Sequence, residues 1–348
     1  MNKLVVSVFI SALFGCTGSL RHIQSNYATE DFSIPVNTNT SNNLKIHYSG
    51  CGGLIINKGE TTLMTDPYFS NKGVIEVISK TIGGGVIKPS ESDINYGLDR
   101  STIDITNTNA IFVSHAHYDH LLDVPWLLKN KINTSTQIYG SHTTQFILEK
   151  FEIESKNIVD VEPSMATNSS SGKWLDVAPN IRVLPIKSHH APHMGNIKLY
   201  SGEHKSKFKR KKEWKSKLNH WKEGQTLSYL FEFRDEEKTF NLFVQTSASE
   251  KPLGLPPQSV LSSHPIDLAV LCVASYKNVE DYPHNHLLNL KPKAVVFVHW
   301  EDFFRGYQKS PRTVRASNVK KFIKQVTHYY DSSKFWLPKP GVTITVQY

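Results

Sequence analysis

Ala110-Ile111-Phe112-Val113-Ser114-His115-Ala116-His117-Tyr118-Asp119-His120 is the stretch whose reading decides the fold. Residues 110–114 form an apolar run of strand length, and the following 121–128 carry helical spacing, so the polar cluster between them belongs on a strand-to-helix loop. Such a loop can aim three imidazoles and a carboxylate at one point. Neutral imidazole nitrogen and carboxylate oxygen suit zinc and its first-row neighbours. Two further histidine groups also fall where strands are expected to end: Ser188-His189-His190-Ala191-Pro192-His193 after 181–187, and His299-Trp300 after 294–298.

Working outward, short strands are expected at 44–48, 53–56 and 61–65, joined by glycine or by the polar turn Asn57-Lys58-Gly59-Glu60. The third runs into Asp66-Pro67, where proline stops the ladder and leaves a carboxylate at the strand's edge. Residues 68–105 make a long connection containing Gly83-Gly84-Gly85, and a connection of that length inside a domain suggests a lid over a site. Beyond the cluster, strands are expected at 136–139, 158–161, 173–177, 226–234, 239–246, 268–273 and 341–346, with helices near 142–150 and 312–328. No repeat of fixed period is present. Two runs of strands with interspersed helices imply an α/β protein of two packed sheets with helices outside and a site along one edge.

The chain has 348 residues, of which 39% are hydrophobic, enough for a substantial core and too many for a disordered protein. Its first residues differ from the rest. Lys3 precedes an apolar stretch, 4–14, too short to span a bilayer, and Gly15-Cys16 follows. This pattern predicts a signal peptide over 1–16, and Leu13-Phe14-Gly15-Cys16 resembles the lipobox of bacterial lipoproteins, whose cysteine is lipidated. Location at the bacterial envelope, periplasm-facing or on the outer membrane, follows from that resemblance. Residues 17–43, rich in Ser, Thr and Asn, are expected to be a flexible tether, leaving 44–348 as the folded domain. Cys51 and Cys272 lack Cys-x-x-Cys spacing, so neither reads as a zinc-knuckle ligand; buried free thiols are expected, with a disulfide between them the alternative that an exported protein allows.

Nine of the residues in 204–222 are Lys or Arg against the single acidic Glu213, nearly the whole of the chain's formal charge of +9. Phe208, Trp214, Leu218 and Trp221 are spaced to form an aromatic stripe on a basic helix, which suits a lipid headgroup surface. A plain solvated insertion is the competing reading. Nucleic acid is a weaker partner, because export behind a signal peptide argues against it.

His115-x-His117-x-Asp119-His120 with downstream histidines at strand ends resembles the metallo-β-lactamase fold superfamily over roughly 44–348. Asp66-Pro67 and the run His299-Trp300-Glu301-Asp302-Phe303 are similar to the branch that contains N-acylphosphatidylethanolamine phospholipase D and lactone hydrolases. The resemblance implies a four-layer αββα sandwich and a hydrolase with one or two zinc ions. It assigns His115, His117 and His190, with His189 as the alternative to His190, to one metal, and Asp119, His120 and His299 to the other. His193 would lie behind the ligands. Many members add a bridging Asp where this chain reads Phe243-Val244-Gln245-Thr246-Ser247, so Thr246 takes the bridging position and the second metal loses a shared negative charge. The implied mechanism is attack of metal-activated water on a phosphodiester, ester or lactone, phospholipids included, with Asp119 orienting the nucleophile and Asp66 bonded to a ligand imidazole. A β-lactamase-like amide hydrolase is an alternative. A non-catalytic lipid-binding envelope protein with structural metals is another.

Overall fold

The computed structural model describes residues 32–35, 43–193, 196–207, 217–236 and 238–348. The signal peptide and lipobox Cys16, and 208–216 of the basic segment, lie outside the described residues. Strands β1 (Phe32–Pro35), β2 (Asn43–Gly50), β3 (Gly53–Lys58), β4 (Thr61–Thr65), β5 (Ala110–Phe112), β6 (Gln137–Gly140) and β7 (Ile158–Asp160) make one sheet with the last strand, β15 (Val342–Gln347). Their order is β1-β15-β2-β3-β4-β5-β6-β7. The second sheet, ordered β14-β13-β12-β11-β10-β9-β8, is built from β8 (Leu175–Ala178), β9 (Ile181–Lys187), β10 (Leu227–Arg234), β11 (Thr239–Gln245), β12 (Leu268–Cys272), β13 (Ala294–Val298) and β14 (Phe335–Trp336).

Alternation along the strands explains the layers. In β10, Leu227, Tyr229, Phe231 and Phe233 enter the core between the sheets, together with Ile46, Leu54, Phe112, Leu242 and Ile344. Leu230, from the other face of β10, packs outward under the helices Gln258–Ser263, His284–Leu290 and Val319–Tyr329, which contribute Val260, Leu287 and Phe322. The first sheet is covered likewise by the helices Val74–Gly83, Glu91–Leu98, Val124–Asn130 and His142–Lys150, through Val77, Ile94, Leu127 and Ile147. The result is the αββα sandwich expected. β12 and β13 are apolar on both faces, so they read as unbroken hydrophobic runs, as parallel strands buried on two sides should.

Two expectations are corrected and one is made specific. The tether boundary at 43 gives way at Phe32–Pro35, which pairs parallel to β15 with Ile34 buried. Four residues with polar flanks are too few to show a period, and the free edge of β15 supplies the hydrogen bonds. Residues 68–105 place Val77 on the wall of the cavity beside the clustered histidines, as a segment covering a site should. They fold into two helices against the first sheet, with Tyr68 and Phe69 fully buried. The aromatic stripe of the basic segment is split: Leu218 and Trp221 are core residues, and Trp221 stacks on Phe151 at 5.7 Å. Desolvation of the indole outweighs its place beside lysines. The described part of the segment holds only a 3₁₀ turn, Leu218–His220.

β4, β5 and β6 run parallel in one sheet, as do β11, β12 and β13 in the other. The segments after β4, β5, β9, β11 and β13 carry Asp66, His115–His120, His190, Thr246 and His299, so these residues gather at the carboxyl ends of strands.

Candidate metal centre

The first group of donors is His115, His117 and His190, each offering a nitrogen within 4.8 Å of the others. Their ring centroids form a near-equilateral triangle of 4.8, 4.7 and 4.8 Å. Nε2 of His115 and of His117 is buried without a hydrogen-bond partner, a costly state unless a cation takes the lone pair. Nδ1 of His190 donates to the Ala191 carbonyl at 2.6 Å, which leaves its Nε2 as the acceptor. Burial, reinforced by the neighbouring imidazoles, holds all three well below the ordinary histidine range, so they are neutral ligands at pH 7. His189 stands apart, with Nε2 at 2.7 Å from Lys198 Nζ. Of the two histidines left open by the sequence, His190 is the one brought to the group. His193 stacks on His190 at 4.7 Å and its Nδ1 accepts the Leu199 N–H at 3.2 Å.

The second group is Asp119, His120 and His299, joined by Cys51. Cys51 Sγ lies 3.5 Å from His299 Nε2 and 3.8 Å from Asp119 Oδ2, and His120 Nε2 lies 3.9 Å from that same oxygen. The two groups adjoin, with the His115 and His120 rings 4.0 Å apart. Asp66 fixes the second group from behind. Its Oδ2 is 3.0 Å from His120 Nδ1, turning Nε2 toward the donors, and its Oδ1 accepts the Ser114 N–H at 2.7 Å. Burial acts to lower the His120 value, but Asp66 and Asp119 outweigh it and raise it. Asp119 itself is raised by burial, with His120 opposing. Thr246 donates its hydroxyl to Asp66 Oδ2 at 2.7 Å, so the residue at the bridging position supports a neighbour of the ligands instead of supplying a charge.

Glu301 ties this half together. Its Oε1 accepts the Cys51 N–H and its Oε2 accepts the Tyr48 hydroxyl, both at 2.6 Å, while Tyr48 accepts the His299 N–H at 2.8 Å. One buried carboxylate therefore positions both Cys51 and His299. Neither Glu301 nor Cys51 is among the residues that the sequence assigns to the site. The available signal for Cys51 was its setting, Gly50-Cys51-Gly52-Gly53.

The donors open into a cavity of about 120 Å³ walled by Val77, Leu199, Phe303, Phe304 and Val314, with the His193 and Tyr200 rings at its side. Its cation, Arg315, is bound to Asp302 at 3.0 Å. Clustered imidazoles with buried, unpartnered nitrogens, beside a carboxylate and a thiol, fit a pair of divalent transition metals.

Residues 96–300 match the family model described as the beta-lactamase superfamily domain. The chain belongs to that superfamily. A comparison with curated protein sequences gives no significant match. Among solved structures, this superfamily member is similar to Igni18, a metallo hydrolase from the archaeon Ignicoccus hospitalis, at 14% identity over 88% of this chain and 99% of the other, with a TM-score of 0.51. It is also similar to isothiocyanate hydrolase from Delia radicum gut bacteria, at 14% identity, 86% and 98% coverage and TM-score 0.48. A third is the diiron β-hydroxylase CmlA from Streptomyces venezuelae, at 12% identity, 89% and 55% coverage and TM-score 0.49. Igni18 and the isothiocyanate hydrolase are named as hydrolases and CmlA as a hydroxylase, all at 14% identity or less, a likeness that shows the fold.

Proposed function

We propose that the protein is a zinc-dependent hydrolase, lipid-anchored to the bacterial envelope, that cleaves a compact ester, lactone or phosphodiester. The observation that carries the reading is two adjoining groups of buried donors, His115, His117 and His190 beside Asp119, His120 and His299, at the floor of a small apolar cavity. When bound there, zinc would acidify water and polarise the scissile carbonyl or phosphoryl oxygen. The chain's own residues do the rest. Asp119, held near His120 and raised by burial, is placed to orient the attacking water and take its proton. Asp66 keeps His120 in one tautomer. Because His193 Nδ1 accepts a backbone N–H and burial and Lys198 push the ring down to about 4, His193 is neutral with its proton on Nε2, a donor for a substrate oxygen. Apolar walls exclude water and favour a short apolar substituent over a charged one.

The envelope location is proposed on the lipobox tetrapeptide and on the basic segment, whose lysines would meet anionic headgroups. Metal analysis of the purified protein, with a panel of generic phosphodiester, ester and lactone substrates, tests the hydrolase. Zinc with turnover, both lost in His115→Ala and His117→Ala, is the expected result; no metal and no turnover in the unmodified protein would sink it. Palmitate labelling that disappears in Cys16→Ser tests the anchor, and an unlabelled unmodified protein refutes it.

A further inference from the structure

The second group of donors has one carboxylate, two imidazoles and a thiol, and the thiol is not placed like a core residue. Cys272, the other described cysteine, contacts a backbone carbonyl at 3.7 Å, as a buried free thiol does. Cys51 instead directs Sγ at an imidazole nitrogen and a carboxylate oxygen. For a tetrahedral zinc with Zn–S near 2.3 Å and Zn–N near 2.0–2.1 Å, sulfur and nitrogen are separated by about 3.5 Å. The observed separation from His299 is 3.5 Å. On the other side of that contact the His299 ring is buried and presents Nε2 to the thiol.

The backbone is built to deliver this sulfur. Cys51 has φ of 51°, a left-handed conformation uncommon outside glycine, and its N–H is clamped by Glu301. The flanking glycines allow close approach. A Cβ on Gly52 would meet the Thr246 side chain at 2.9 Å, and one on Gly53 would meet the Asp66 carbonyl at 2.6 Å.

We propose that Cys51 binds the second metal as a thiolate, completing a Cys51, Asp119, His120 and His299 site beside the three-histidine site. This rests on the metal-dependent reading above and deepens it. The thiol proton leaves to solvent as the sulfur–metal bond forms. Thiolate supplies the negative charge that Thr246 does not, and it selects zinc over harder ions such as manganese or magnesium. Four protein ligands close the second site, as in structural zinc centres, so the open position for water belongs to the site with three.

X-ray absorption on the full chain loaded with two equivalents of zinc tests the assignment. The expected result is a sulfur shell near about 2.3 Å, about one sulfur for every two zinc ions, absent in Cys51→Ser and retained in Cys272→Ser. In zinc titrations, Cys51→Ser should weaken one of the two sites by more than the roughly 10- to 100-fold typical of losing an outer partner. A shell of nitrogen and oxygen alone in the unmodified protein overturns the proposal, as does a sulfur shell lost only in Cys272→Ser. Because the first spectrum needs no variant, misfolding of Cys51→Ser does not spare it. If metal binds through nitrogen and oxygen and turnover persists, the ligand assignment fails while the hydrolase stands; a protein that takes up no metal refutes both.

Discussion

Replacing Asp123 by asparagine should shift the balance of stability toward the variant as pH rises from acid to neutral. Asp123 follows the histidine run and is fully buried. Its Oδ2 accepts the N–H groups of Phe69 and Ser70 at 2.7 and 2.9 Å, and its Oδ1 has no partner. Burial pushes the carboxyl from its ordinary 3.8 up to about 6, against the lowering effect of those hydrogen bonds and of Lys72. The native state therefore holds the proton more tightly than the unfolded chain. That contribution is complete below the unfolded value near 3.8 and is lost as pH rises through about 6. Its size is about 3 kcal/mol, since each tenfold change in proton affinity is worth about 1.4 kcal/mol. Asparagine can accept both N–H groups through its single oxygen and never ionises. Urea unfolding of both proteins from pH 4 to pH 7.5 measures the difference directly, and groups common to both cancel. The variant's relative stability should climb by about 3 kcal/mol across that window. A flat difference, or one that falls with pH, would refute the assignment of a buried, proton-holding carboxyl. The cost is accepted at neutral pH because this carboxylate pins the chain directly after Asp66.

Asp66→Asn should lower affinity at the second site by roughly 10- to 100-fold, the usual loss when a partner behind a ligand is altered, with the three-histidine site little affected; zinc titration against a chelator separates the two. Glu301→Ala strands the Cys51 N–H and the Tyr48 hydroxyl, at about 1–3 kcal/mol for each buried donor, so urea unfolding should show a loss of about 2–6 kcal/mol together with reduced metal at one site. Trp221→Ala should cost about 3–5 kcal/mol in the same measurement, whereas a membrane-facing tryptophan would cost little in solution.

Much of the fold was legible because strand length and alternation survive in the sequence. The strands expected at 181–187 and 294–298 are β9 and β13 to the residue, since their apolar runs are bounded by polar residues, Asn180 and Ser188 for the first and Lys293 and His299 for the second. What escaped was short. β14 has two residues, β1 has four, and the helix Gln258–Ser263 has six, none long enough to show a period. The basic segment misled for a different reason: charge density marks exposure on average, yet Trp221 pairs with Phe151, 70 positions earlier in the chain, a contact no local pattern encodes.

The site divides along the same line. Ligands contiguous in sequence announced themselves, while Cys51 lies 68 and 248 residues from the two atoms it faces, so spacing rules made for knuckles could not find it. Local conformation carries the better signal. Cys51, Asp66 and His299 have φ of 51°, 40° and 56°, three non-glycine residues in the left-handed region, all in one half of the centre. Each departs from ordinary backbone at a cost of order 1 kcal/mol, and each is held there by a buried bond: Cys51 N–H to Glu301, Asp66 N–H to the Phe112 carbonyl, His299 N–H to Tyr48. Seven other described non-glycine residues share the left-handed region, Tyr200, Ser275 and Ala316 at the cavity among them, so the conformation alone does not mark a ligand; the buried brace does. At Cys51, Asp66 and His299 the braced backbone aims side chains from separate strands at one point.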